Sequence, residues 1–147
     1  MAITQITPEE AHRRMQDGEP YIDVRTEQEF ANGHPAGAVN IPVVFPDPAT
    51  RQMKVNGDFL RVVAAHFPKD TAVIVGCQAG GRSQRAAEML QGAGYTAVSN
   101  MQGGFGGARD ATGRTVVAGW AASGLPVSNE CNDKNSYIGL QRAGERK

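Results

Sequence analysis

Val73-Ile74-Val75-Gly76-Cys77-Gln78-Ala79-Gly80-Gly81-Arg82-Ser83 decides how the rest of the chain is read. Its first part, preceded by Thr71 and Ala72, is an unbroken apolar run of strand length. Such a run suits a central parallel strand covered on both faces. Its second part is a short glycine-bearing loop. Beyond it Ala86, Met89, Leu90 and Ala93 supply one apolar face, which predicts a helix from Ser83 to Gln91. A strand passing through a tight loop into a helix is a building unit of α/β proteins. The carboxyl end of such a strand is where these proteins hold their ligands.

The flanking sequence repeats that alternation. Ile3 to Ile6 reads as a short edge strand. Thr7-Pro8-Glu9-Glu10 then joins a capping threonine, a proline suited to the first helical position and the glutamate of a capping box. That helix is expected to stop near Gly18, with Ala11 and Met15 turned inward. Tyr21-Ile22-Asp23-Val24 reads as a strand, Thr26 to Glu29 as a second capping box, and Gly33 as the end of the helix it opens. Ala38 to Ile41 is a third strand, closed by Pro42. Val43 to Gly57, with Pro46 and Pro48, reads as irregular. Phe59, Val62, Val63, His66 and Phe67 fall on one helical face. Thr96-Ala97-Val98 is the last strand, followed by a glycine-rich segment from Gly103 to Gly107. The pattern predicts an α/β fold with a mainly parallel sheet and no internal repeat. One domain is expected over 1–128. A polar tail over 129–147 follows, where Tyr137-Ile138-Gly139-Leu140 could dock as a short turn.

Composition narrows the function classes. A chain of 147 residues suits one domain that buries roughly 68–70% of its unfolded surface. Fifteen basic and fifteen acidic side chains cancel, leaving no overall charge to attract nucleic acid or an anionic membrane. No window approaches the ~18 apolar residues of a spanning helix. Met1-Ala2-Ile3-Thr4-Gln5 lacks the basic and apolar parts of a secretion signal, so a reducing cytoplasm is the expected location. Two cysteines, Cys77 and Cys131, are too few for a disulfide framework. No cysteine or histidine pair has metal-ligand spacing, so no metal is expected.

The loop after Val75 carries the chemistry. Successive backbone N–H groups in a tight loop make an anion-binding nest, and the following helix adds its positive N-terminal dipole. Gly80 and Gly81 permit the close approach this needs. Helix N-termini and cations favour the thiolate, the nucleophilic form of cysteine. The same nest suits a terminal persulfide anion. Cys77 is therefore the expected nucleophile. Gln78, Ala79, Gly80, Gly81, Arg82 and Ser83 form the loop that binds the substrate or persulfide. Arg82, and with it Arg85 or Arg109, could draw in an anion; alternatively Arg82 locks the loop by pairing elsewhere.

These motifs together resemble the rhodanese family. Asp23-Val24-Arg25, Glu29-Phe30, Gly33-His34, Gly37-Ala38 and Asn40-Ile41-Pro42 stand where that family has its upstream motifs. Cys77, Gly80, Arg82 and Ser83 fit its active loop. Gly103-Gly104, Gly119-Trp120 and Gly124-Leu125-Pro126 resemble its closing motifs. The resemblance spans about residues 3–128 and rests on the joint occurrence of the motifs. It implies a rhodanese-like three-layer sandwich with helices on both faces of the sheet. It also implies a thiosulfate sulfurtransferase that moves sulfane sulfur through a Cys77 persulfide to cyanide or a thiol, with no cofactor. Asp23 and Arg25 are then residues that support the loop. A sulfur-carrier or thioredoxin-like protein is a candidate partner, and the alternative function is a persulfide relay or a sulfide or redox sensor acting on a protein. Two features depart from the family pattern: Pro35 follows His34 one position early, and the segment from Gly104 to Gly119, with Arg109 and Arg114, is long.

Blander readings stand beside these. Cys77 read alone is a small buried hydrophobe. His34 reads as a capping or packing residue, His66 as a satisfied core residue, and Trp120 as packing. Cys131 could resolve the Cys77 persulfide into a disulfide. Gly76-x-x-x-x-Gly81-Arg82-Ser83 nearly spells a phosphate-binding loop, but arginine stands where the lysine belongs. A cysteine phosphatase or arsenate reductase would hold five residues between cysteine and arginine. Here four lie between Cys77 and Arg82, a smaller ring suited to a single sulfur atom.

Overall fold

The computed structural model describes residues 3–47, 49–50, 52–78, 81–109 and 111–145, with side chains for all of these except 108–109, 115–117 and 143–145. The chain opens with β1 (Thr4–Ile6), α1 (Pro8–Gln16), β2 (Tyr21–Asp23), α2 (Glu27–Asn32), β3 (His34–Pro35) and β4 (Val39–Asn40). It continues through β5 (Val44–Pro46), β6 (Met53–Val55), α3 (Phe59–His66), β7 (Val73–Gly76) and α4 (Gly81–Gly92). It closes with β8 (Val98–Met101), β9 (Ala108–Arg109), β10 (Thr115–Val117), β11 (Val127–Ser128) and α5 (Tyr137–Glu145).

Two capping threonines fix the first helices. Thr7 Oγ1 accepts from the Glu10 N–H, with Pro8 at the first helical position. Thr26 and Glu29 complete the reciprocal box at α2. Five strands make one parallel sheet in the order β1-β8-β7-β2-β4, with β7 at its centre. Register pairs Tyr21 with Ile74 and Ile22 with Val75, so alternate residues of each strand face opposite layers. On one face Ile22, Val24, Val73 and Val75 meet Phe59, Val62 and Val63 of α3 and Ala86, Ala87 and Leu90 of α4. On the other, Ile6, Tyr21, Ile74 and Met101 meet Ala11 of α1, Phe30 of α2 and Trp120. The architecture is the three-layer α/β sandwich that the sequence predicts.

Several expectations are corrected. The irregular stretch after Val43 contains an antiparallel hairpin, β5 with β6. The strand expected over 96–98 runs instead from Val98 to Met101, because Ser99 and Asn100 are buried polar residues with partners and continue the ladder. Met15 does turn inward as expected, packing against the core around Trp120 while only partly buried. The segment from Tyr137 forms a nine-residue helix rather than a single turn. Tyr137 and Leu140 enter the core, the Tyr137 hydroxyl accepts from Asn56 Nδ2, and His66 Nε2 contacts the Leu140 carbonyl at 2.7 Å.

Candidate active site

Cys77 follows the last residue of β7, at the carboxyl edge of the central strand. Gly76, just before it, has no space for a side chain: an added Cβ would lie 1.7 Å from the Tyr21 hydroxyl. Cys77 itself is 2% exposed and takes part in the core beneath α3 and α4. Its sulfur is not left to apolar neighbours alone, because Ser83 Oγ lies 3.4 Å from Sγ. Ser83 belongs to the first turn of α4, so the thiol sits where that helix presents its positive end. Ala79 and Gly80 lie outside the described residues; Gln78 and Gly81 flank them.

Three supports hold the start of the loop. Arg25, 3% exposed, binds the Asp23 carboxylate with Nε and Nη2 and donates from Nη2 to the Gly33 carbonyl. Its Nη1 reaches Gln78 Oε1 at 3.2 Å. The Asp23 carboxylate and hydrogen bonds hold the Arg25 guanidinium charged, against the cost of its burial. The Phe105 ring lies 4.6 Å from the Arg25 guanidinium carbon. The glycine-rich turn forms the second support: the Phe105 and Gly106 N–H groups donate to the Cys77 and Gln78 carbonyls at 2.7 and 2.9 Å. Gly104, at φ +59°, can approach only without a side chain, since a Cβ would stand 2.3 Å from the Cys77 carbonyl oxygen.

The third support is Arg82. Its Nη1 and Nη2 meet Glu29 Oε1 and Oε2 at 2.7 and 2.9 Å. That bidentate bond, with the capping contacts from Thr26, lowers the Glu29 pKa to about 2. The structure therefore commits the Arg82 guanidinium to bracing α2 against α4. Arg85 is exposed on α4, and the Arg109 side chain lies outside those described. His34 is buried, stacked on Phe30 with its Nδ1 against the Phe30 carbonyl, and Trp120 is buried with its indole N–H on the Pro126 carbonyl. Cys131 is exposed and lines a cleft of about 380 Å³ with Glu27, Phe30 and Asn40. Among the described residues no cluster could hold a metal ion, and no helix is long and apolar enough to cross a membrane.

Three contributors lie outside the sequence reading of the site. Glu29 is legible as a cap and as part of the Glu29-Phe30 motif, but not as the partner of Arg82. Phe105 is hidden among glycines. Asn100, bound to Ser83, sits in what reads as a loop.

A cysteine delivered by the central strand of a parallel sheet to the first turn of a helix defines an α/β domain whose candidate site is centred on a thiol. Residues 7–111 match the family model described as Rhodanese-like domain, and the chain belongs to that family. It is 40% identical over 117 residues to Thiosulfate sulfurtransferase 16, chloroplastic, of Arabidopsis thaliana, covering 80% of this chain and 86% of that one. It is 33% identical over 128 residues to Thiosulfate sulfurtransferase GlpE of Haemophilus influenzae, covering 86% and 96%. Three other plant relatives are matched over only 51–60% of their own length. The crystal structure of Rv0390 from M. tuberculosis superposes with a TM-score of 0.72 at 31% identity, over 88% of this chain and 100% of that one. Together these relatives support sulfurtransferase chemistry.

Proposed function

We propose that the protein is a thiosulfate sulfurtransferase working by double displacement at Cys77. The Cys77 thiolate attacks the sulfane sulfur of thiosulfate; the S–S bond breaks and its electron pair leaves with sulfite. The enzyme then carries a persulfide in the loop from Gln78 to Ser83. A thiophilic acceptor, cyanide or a thiol, attacks the outer sulfur and the Cys77 thiolate is restored. The sulfur is held covalently throughout, so the cycle needs no cofactor. A sulfur-carrier or thioredoxin-like protein is the proposed macromolecular acceptor, and a reducing compartment such as the cytoplasm would keep the thiol ready.

The observation that carries this reading is the position of Cys77 Sγ, at the end of β7 and 3.4 Å from Ser83 in the first turn of α4. Asp23 and Arg25 serve it indirectly, by holding Gln78. Intact mass after incubation with thiosulfate tests it. One added sulfur atom is expected, mapped to Cys77, removed by cyanide or a reducing thiol, and absent in Cys77→Ser. A Cys77→Ser protein that still turns over thiosulfate would falsify the mechanism. Persulfide that passes to a carrier protein but not to cyanide would instead favour the relay reading.

A further inference from the structure

Cys77 meets Ser83 as one end of a chain of polar side chains. Ser83 Oγ, fully buried, also makes a short hydrogen bond to Asn100 Oδ1. Asn100, 4% exposed, donates from Nδ2 to Gln5 Oε1 at 2.8 Å and to Gln84 Oε1 at 3.2 Å. Gln5 and Asn100 are register partners on β1 and β8, and Gln5 is exposed. The line therefore runs from the buried sulfur through Ser83 and Asn100 to the surface. A serine hydroxyl carries a single hydrogen, and here Cys77 Sγ and Asn100 Oδ1 both lie within its reach.

We propose that Asn100 is a positioning residue for Cys77 acting through Ser83: its carboxamide, turned end for end, decides whether the Ser83 hydrogen faces Asn100 or faces the sulfur. In the arrangement described, Asn100 Oδ1 takes the Ser83 hydrogen, and Ser83 Oγ is left to accept from a protonated sulfur. An anionic sulfur is instead further stabilised by a donor. A half-turn of the carboxamide brings the Asn100 N–H to Ser83 Oγ and releases the Ser83 hydrogen to Cys77. Asn100 Oδ1 then faces Gln5 and Gln84, which can each present an N–H by the same half-turn. Both polarities give Ser83 Oγ and the Asn100 carboxamide oxygen a hydrogen-bond partner, which limits the cost of unmade bonds in the interior. Aspartate, accepting only, could serve one polarity; leucine could serve neither.

The inference rests on Cys77 reacting as an anion, but its test does not use sulfur transfer. In a Cys131→Ser background, the ultraviolet thiolate absorbance of Cys77 is followed against pH, as the difference from Cys77→Ser. Asn100→Asp is expected to move the midpoint upward by about one pH unit, a tenfold change in the thiol–thiolate ratio. Gln5→Glu, a surface change that keeps an acceptor for the Asn100 N–H but removes the N–H that Gln5 would turn to Asn100 Oδ1 in the other polarity, is expected to move it the same way by less. Both shifts should shrink by more than half in a Ser83→Ala background, as a double-mutant cycle demands of a coupling that runs through Ser83. Unmoved midpoints, or shifts of equal size with and without the Ser83 hydroxyl, would overturn the proposal. If Asn100→Asp fails to fold, Gln5→Glu and its Ser83→Ala combination decide alone. A protein that shows these shifts yet transfers no sulfur would refute the proposed function and leave this inference standing.

Discussion

The Arg82 guanidinium grips the Glu29 carboxylate through two contacts of 2.7 and 2.9 Å, and so ties the helix that follows Cys77 to the helix that precedes His34. The folded Glu29 titrates near 2, against an ordinary 4.5. A carboxylate whose folded pKa lies below its unfolded one stabilises fully above the unfolded value and loses that contribution as pH falls through the folded value. Glu29→Gln should therefore lower the melting temperature at neutral pH. Partial exposure of both side chains limits the effect to about 1 kcal/mol. Thermal melts of the two proteins should converge as the pH falls from about 5 towards 2; a gap that stays constant with pH would contradict the assignment.

Arg25→Lys keeps the charge beside Asp23 but gives up the planar fork that also reaches Gly33 and Gln78. Because the pair is almost wholly buried, we expect a loss of about 2–3 kcal/mol in chemical denaturation, below the 3–5 typical of removing one partner outright. Persulfide formation should slow by about tenfold through misplacement of the loop. An Arg25→Lys protein as fast as the parent would remove Gln78 from the positioning scheme.

Gly104→Ala places a Cβ against the Cys77 carbonyl and asks alanine for a left-handed backbone. Backbone strain and steric overlap together should cost at least ~2 kcal/mol, with sulfur transfer reduced as the Phe105 bond to Cys77 is pushed away. Denaturant midpoints and turnover measured side by side would check this. Unchanged values for both would mean that the glycine-rich turn does not hold the active loop.

Cys131→Ser should leave thiosulfate turnover unchanged. Gly76 pairs with Asp23 and Asp23 with Asn40, so two strand spacings, ~10 Å, separate the end of β7 from Asn40. Cys131 lies in the cleft that Asn40 lines, whereas a disulfide needs Cα atoms within about 7 Å. Mass spectrometry of the thiosulfate-treated parent should find a sulfur adduct and no internal disulfide; a Cys77–Cys131 bridge would contradict this reading.

The parts of the fold that the sequence makes legible are those written locally. Thr7 and Thr26 announce their helices through a cap within three residues, and Val73 to Val75 declare a buried strand by being wholly apolar. What is hidden depends on distant partners. Ser99 and Asn100 read as polar loop, yet they are buried because Arg14 and Ser83 satisfy them, and that displaces the last strand of the sheet and conceals the residue behind Ser83. The 129–147 segment looks like a tail because its composition is polar. Asn56 and His66 of α3, far upstream, supply the partners of the Tyr137 hydroxyl and the Leu140 carbonyl. Cys77 and its loop stand out as one contiguous stretch, while Glu29, Phe105 and Asn100 are brought in from three other places.

The order of strands in the sheet has a consequence for synthesis. Thr4 pairs with Ser99, so β1 finds its neighbour only after about 95 further residues have emerged, and closing so long a loop is slow. Until then its unpaired edge and the apolar side of Ile6 stay open to intermolecular pairing. A nascent chain stalled before Met101 should be the form of this protein that chaperones hold longest.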